Sequence, residues 1–334
     1  NDGFEKPTSV KTTTKESSTD FVKNLEVETQ LPYSHNFRES IPLKLYLGPN
    51  HYETLSTYNM DLERMIPLGW GIFRWVNKYA VIPIFNWLDN SITNYGIIIL
   101  IMTFIIKMAL APFTLKAYKS QAKMKVLKPE IDKINEKQKD KDPMKAQQAT
   151  MALYKKAGVN PLGGCVPMLL QMPILFALFR FFPASIELRQ KSFLWATDLS
   201  TYDSVLDLPF EIPFYGDHVS LFTLLMTIST LLYTRMNSQM SGPQMAQMKW
   251  MMYLMPIMFL GFFNNYAAGL SYYYFLANMV TFGQQFIMRK YFIDEAAILT
   301  QIENNKKKPV KKSKFQKRLE DMAKKQKEAA NKRR

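Results

Sequence analysis

Lys107 is the residue whose surroundings most demand chemistry. It sits in GIIILIMTFIIKMALAPF, residues 96–113, a run with no other charge. A cation within a bilayer span costs about 2.5–3.5 kcal/mol on insertion scales and marks a functional site by default. With a span over about 92–114, the lysine lies roughly 10 Å from its end at 1.5 Å per residue. Snorkelling of the long side chain to the interface accounts for that depth as well as a buried function does.

Polar residues recur in the other apolar segments. Thr103 precedes Lys107 by one helical turn and shares its face. Gln171 stands in PMLLQMPILFALF, and Thr223, Thr227, Ser229 and Thr230 occupy a third segment. In a further one Tyr274, Asn278, Thr281 and Gln285 follow at spacings of four, three and four, which aligns them on one helix face. Singly, such groups act as hydrogen-bonding glue between spans. Together with an unpaired cation they suit a water-containing cavity. No Asp or Glu lies in any apolar segment, so the Lys107 charge must meet water, a polar cavity or a ligand's acid.

The chemistry this set supports is electrostatic. An intramembrane protease needs a nucleophile with a base, or an aspartate pair, and neither is there. One cysteine, Cys165, excludes an internal disulfide or a Cys-based metal site. There is no glycine loop for phosphate, and nothing calls for a cofactor. A channel or transporter using the polar cavity around Lys107 is the alternative reading, although no internal repeat of the common transporter kind is evident.

The elements that must position these residues follow from charge and apolar clustering. The chain has 334 residues, 47% apolar content and a net charge of +15. Five apolar segments, about 92–114, 163–183, 218–235, 250–264 and 269–288, read as spans. Pro167, Pro173 and Pro256 interrupt them, as membrane helices tolerate. Residues 115–160 carry 12 Lys against 5 acids, and residues 289–334 carry 16 Lys/Arg against 6. The loop 235–249 is also basic, whereas 184–217 holds two Lys/Arg and six acids. With the N-terminus outside, the three basic segments share one side, which the positive-inside rule makes cytoplasmic.

Within 115–160, Met124, Leu127, Ile131 and Ile134 form an apolar stripe. After KQKDKD, Asp142-Pro143 reads as the start of a second helix, giving a protruding helical hairpin or else a charged connector. Residues 61–90 suit an interfacial amphipathic helix with three tryptophans at headgroup level, a span being the other option. In residues 1–60, TSVKTTTKESSTD reads as loop and SIPLKLYLG (40–48) as a strand whose partners would precede Asn1. The absence of an initial Met fits a piece of a longer precursor. The tail 291–334 reads as unstructured or partly helical until bound. Its Lys306, Lys307, Lys308, Lys311, Lys312, Lys314, Arg333 and Arg334 are candidate polyanion contacts, for ribosomal RNA or for anionic lipid headgroups.

Three stretches, PLGGCVPMLLQMPILFALF (161–179), MPIMFLGFFNNYAAGLSYYYFLANMVTFGQQ (255–285) and AKMKVLKPEIDKI (122–134), resemble the YidC insertase family, which includes the mitochondrial Oxa and plastid Alb insertases. The resemblance runs in order from residue 62 to about 290. It implies an all-α membrane protein: a five-helix transmembrane bundle with an interfacial helix, a cytoplasmic hairpin and, at the N-terminus, a β remnant of the periplasmic domain of Gram-negative members. Those members also have a further N-terminal span. The implied activity is non-enzymatic insertion of nascent membrane proteins into the bacterial inner membrane, with chaperone character. Its groove is hydrophilic, open to cytoplasm and lipid and closed outward. The family's groove cation falls at Lys107, where most members carry arginine, and its motif positions put Thr103, Gln171, Tyr274 and Thr281 on the groove. A ribosome and a Sec translocon are the implied partners besides the nascent chain.

Overall fold

The structure, a computed structural model, describes residues 5–13, 24–30, 37–38, 45–138, 143–160, 163, 166–238 and 249–307. The chain divides into two compact units, Asn1–Pro49 and Asn50–Arg334.

In the first unit, β1 (Glu5–Thr13) pairs antiparallel with β2 (Asn24–Gln30), with Val10 opposite Val27. The loop reading of TSVKTTTKESSTD is therefore corrected for residues 8–13. Their valine and threonines are β-branched and favour the pleated backbone. The strand expected at 40–48 is not seen where it is described: residues 45–47 are irregular, with Leu45 and Leu47 exposed.

The second unit is mostly helical. A short helix α1 (Tyr52–Thr57) precedes α2 (Ile72–Val76) and α3 (Ile82–Asp89), which are joined by a π-helical turn, Asn77–Val81. Val81, Ile82, Phe85 and Leu88 are buried, whereas Trp70, Trp75, Tyr79 and Trp87 are exposed. Asn77 fastens this arm: its Nδ2 donates to the carbonyls of Leu68 (2.9 Å) and Ala177 (2.8 Å).

Next comes α4 (Tyr95–Gln138), a 44-residue helix about 66 Å long at 1.5 Å per residue. It passes without a break from the apolar run into the charged segment, through Pro112 and Pro129. The boundary expected near residue 114 is chemical rather than structural. Helix α5 (Pro143–Ala157) packs back on its far half, and α6 (Val166–Ala184) packs beside its near half. A ribbon of β3 (Leu206–Ile212) and β4 (Gly216–Val219) then leads to α7 (Leu221–Ser238). The third apolar segment thus starts three residues later than expected, because His218 and Val219 belong to a strand. Asp203 fixes that start by accepting from the backbone N–H groups of Leu221 and Phe222 and from Trp195 Nε1.

Helices α8 (Lys249–Asn264) and α9 (Ala268–Tyr291) follow. Helix α9 is central, lying against α4, α6 and α7, while α8 is peripheral, touching α7 and β4. Finally α10 (Glu295–Lys307) folds back on the α4–α5 pair, where Ile302 joins Met124, Leu127, Ile131, Tyr154, Ala157 and Val159 in one core. The hairpin expected over 115–160 is thus completed by a third helix, from a stretch read as tail.

Among the described residues, one helix, Tyr95–Glu136 within α4, is long and apolar enough to cross a membrane, and only 28% of its most apolar stretch is buried. Shorter apolar helices run over Leu169–Ala184 and Trp250–Asn264. In α7 and α9 the inward Thr, Asn, Gln and Tyr residues dilute the apolar character. Large side chains such as Phe104, Phe176, Ile228, Ile257 and Phe286 face outward around the bundle.

Candidate functional site

Lys107 enters the bundle from α4 between α6 and α9 and is 9% exposed. Its Nζ donates to Gln171 Oε1 at 3.2 Å and to Thr281 Oγ1 at 3.1 Å. Thr281 donates in turn to the Ala277 carbonyl (2.6 Å), which orients its lone pairs toward the ammonium. From the next turn of α9, Gln284 Nε2 donates to the Lys107 carbonyl at 3.1 Å. Among the described residues no carboxylate lies within ion-pair distance of this cation. Two neutral oxygens use two of its three N–H donors. They offset part of its desolvation and cancel none of its charge.

The remaining candidates scatter. Thr103 is fully buried and donates to the Ile99 carbonyl (2.6 Å) of its own helix. Asn278 donates across to Ser229 Oγ (2.9 Å) and Thr230 Oγ1 (3.0 Å), pinning α9 to α7. The Tyr274 hydroxyl is buried with no hydrogen-bond partner among the described residues, its ring packed edge-on against Tyr273. Gln285 reaches Asn237 Oδ1 at 3.5 Å.

Next to the hydrogen-bond partners of Lys107 lies a small cleft of about 30 Å³, partly open to solvent. Thr114, Tyr118 and Gln121 of α4, Tyr233 of α7, and Thr281, Gln284, Gln285 and Met288 of α9 line it. Thr281 belongs to both places, so one of the two acceptors of the lysine's Nζ also lines the cleft. Sequence reasoning missed Thr114, placed at the end of the first span, and Tyr118 and Gln121, placed in the hairpin. Their signal is that they continue the Lys107 face at spacings of seven, four and three.

The family model described as 60Kd inner membrane protein matches residues 87–295. The chain belongs to this family. Relatives include the membrane protein insertase YidC of Parabacteroides distasonis, 49% identical over 329 residues, which covers 94% of this chain and 52% of that protein. The Bacteroides fragilis protein of the same name is 46% identical over 343 residues, covering 99% of this chain and 55% of its own. That of Amoebophilus asiaticus is 48% identical over 283 residues, covering 84% and 47%. The chain spans about half the length of the curated relatives it matches. The inner membrane protein match takes in Lys107, Gln171 and the whole cleft. It ends at the first residue of α10. There Lys306 pairs with Glu130 and Lys307 is exposed, while Lys308, Lys311, Lys312, Lys314, Arg333 and Arg334 lie outside the described residues.

Proposed function

We propose that this chain is the membrane core of a bacterial membrane protein insertase. Helices α4, α6, α7, α8 and α9 are its five spans, α2–α3 its interfacial arm and α4–α5 its cytoplasmic hairpin, with residues 1–60 outside and the C-terminus inside. One observation carries the reading. An ammonium with no acid partner among the described residues shares a hydrogen-bonding residue, Thr281, with a cleft partly open to solvent.

A nascent chain's polar flank enters the cleft from the cytoplasm and is drawn toward Lys107, while its apolar segment slides along the outer face into lipid. Burying one amide without a partner costs about 2–7 kcal/mol. A polar cleft that hydrates part of the path therefore removes a large share of the barrier. Transfer of the apolar segment into lipid then retains it, with no nucleotide consumed. On this reading Thr103 and Asn278 hold the groove's walls, and Gln171, Thr281, Gln285 and Tyr274 face its interior. Basic residues of the tail engage a ribosome or anionic lipid, and a Sec translocon is a further partner.

The test is a photocrosslinker at residue 107 or 274, presented with a ribosome-stalled nascent membrane protein in vesicles. Adducts from these positions, absent from residue 286 on the outer face for the polar flank, are expected. Ion conductance with no adduct and no insertion would replace the insertase by a channel.

A further inference from the structure

The β3–β4 ribbon carries an apolar face that nothing in the described structure covers. In sequence Leu206, Leu208, Phe210 and Ile212 alternate with Asp207, Pro209 and Glu211, the pattern of a strand with one face in an apolar medium, although the pairing with β4 shifts register between Asp207 and Ile212. Yet Leu206 is 58% and Phe210 61% exposed, and β3 pairs with β4 alone among the described strands. A two-stranded ribbon by itself is marginal in water, so this face calls for a partner. At the turn, Phe214 is 98% exposed with φ 67°, a left-handed conformation that glycine or asparagine adopts more easily than a bulky aromatic. Among the described residues nothing covers its ring.

The turn is nonetheless held firmly. Asn264 and Asn265 both donate to the Tyr215 carbonyl, at 3.0 and 2.9 Å. A Cβ added at Gly261 would stand 2.5 Å from the Phe214 carbonyl, so this glycine is what lets the turn lie against the last turn of α8. On that same end α8 exposes Ile257, Met258 and Phe262. The ribbon's apolar tip is thus fixed beside an apolar helix surface.

We infer that the ribbon is a membrane-interface anchor. Phe214 and Phe210 seat in the headgroup–acyl boundary of the leaflet at the α8–α9 tip, and Asp207 and Glu211 face water. The inference rests on the proposed immersion of α8. Residues 204–219 hold three acids and no Lys or Arg, so attachment is by apolar burial and does not need anionic lipid.

Spin labels at Phe210→Cys, Glu211→Cys and Ile257→Cys, each in a Cys165→Ser background of the chain in phosphatidylethanolamine–phosphatidylglycerol vesicles, test it. The label at 210 is expected to favour collision with oxygen over a water-soluble nickel chelate several-fold more than the label at 211, at any phosphatidylglycerol content. Phe214→Asn, which suits the left-handed turn, should shift the label at 210 toward the chelate. Equal chelate access at 210 and 211, with Ile257 still oxygen-rich, overturns the anchor. Chelate access at Ile257 as well overturns the immersion of α8 and the anchor with it. Dipolar broadening between labels at 210 would assign the face to a second copy and also overturn it.

Discussion

A lysine held by an amide and a hydroxyl, with no acid in ion-pair range among the described residues, keeps its positive field for whatever enters the cleft. Hydrogen bonds to charged groups contribute about 1.5–3 kcal/mol, equivalent to roughly tenfold or more in an equilibrium. Lys107→Glu is therefore expected to cut insertion of a substrate with an acidic flank by at least about tenfold. Lys107→Arg keeps the charge and should keep activity, as read by protease protection in reconstituted vesicles. Full activity of Lys107→Ala would remove the charge from the mechanism. Asn278 separates the groove's chemistry from its packing. Its two bonds join α9 to α7, so Asn278→Leu should cost about 0.6–1.7 kcal/mol of bundle stability in a denaturation series, with insertion retained. Lys107, Gln171 and Thr281 were legible in the sequence because a polar group stands out against an apolar run. Thr114, Tyr118 and Gln121 were not, since they fall where that run gives way to lysines and polar residues become unremarkable.

The same limit operates on elements. Apolar clustering and periodicity located α5 through α9 to within a few residues, whereas α4 was expected as a span ending near 114 followed by a separate hairpin helix. The docking of α10 was not read, because it offers only Ile298 and Ile302, one turn apart, to a core made mainly by α4 and α5. Two apolar residues mean little until their partners are known. In the folded chain they mean a good deal. Ile302→Ala should destabilise the three-helix unit by about 2–4 kcal/mol, seen as faster amide exchange over residues 124–131 and 154–157. Exchange there unchanged by the substitution would show that α10 does not support the hairpin. The edge of this contact is electrostatic. Hydrogen bonding and charge from Lys125 hold the Glu295 carboxyl below its ordinary range. A depressed acid contributes stability above its unfolded pKa and loses it as pH falls through the folded one. Docking of α10 should therefore loosen in acid below the ordinary glutamate range, and also in high salt, since the pair is exposed and screened.

At the scale of the whole molecule, charge placement and helix length bear on the same membrane. The proposed topology puts the three basic segments on the cytoplasmic side and the acidic loop 184–217 on the other. An impermeant maleimide should then label Tyr202→Cys from outside intact cells and Lys133→Cys only after permeabilisation, in a Cys165→Ser background. Both labelling from one side would break the five-span topology. Helix length adds a second constraint. Helices α6, α7 and α8 have 19, 18 and 16 residues, or about 29, 27 and 24 Å at 1.5 Å per residue. A typical hydrocarbon core is about 30 Å thick, so α8 falls short even untilted. Short spans are accommodated by thinning the bilayer around them, at a fraction of a kcal/mol per Å. Thinning beside α8 would shorten the apolar path for an incoming polar flank, adding to what the Lys107 cleft already removes. Insertion is therefore expected to fall steadily as vesicle lipids are lengthened from 14- to 22-carbon monounsaturated chains. Extending α8 by three leucines within its apolar stretch should flatten that dependence. A rate indifferent to chain length in both proteins would mean that the cleft acts without help from the bilayer's shape.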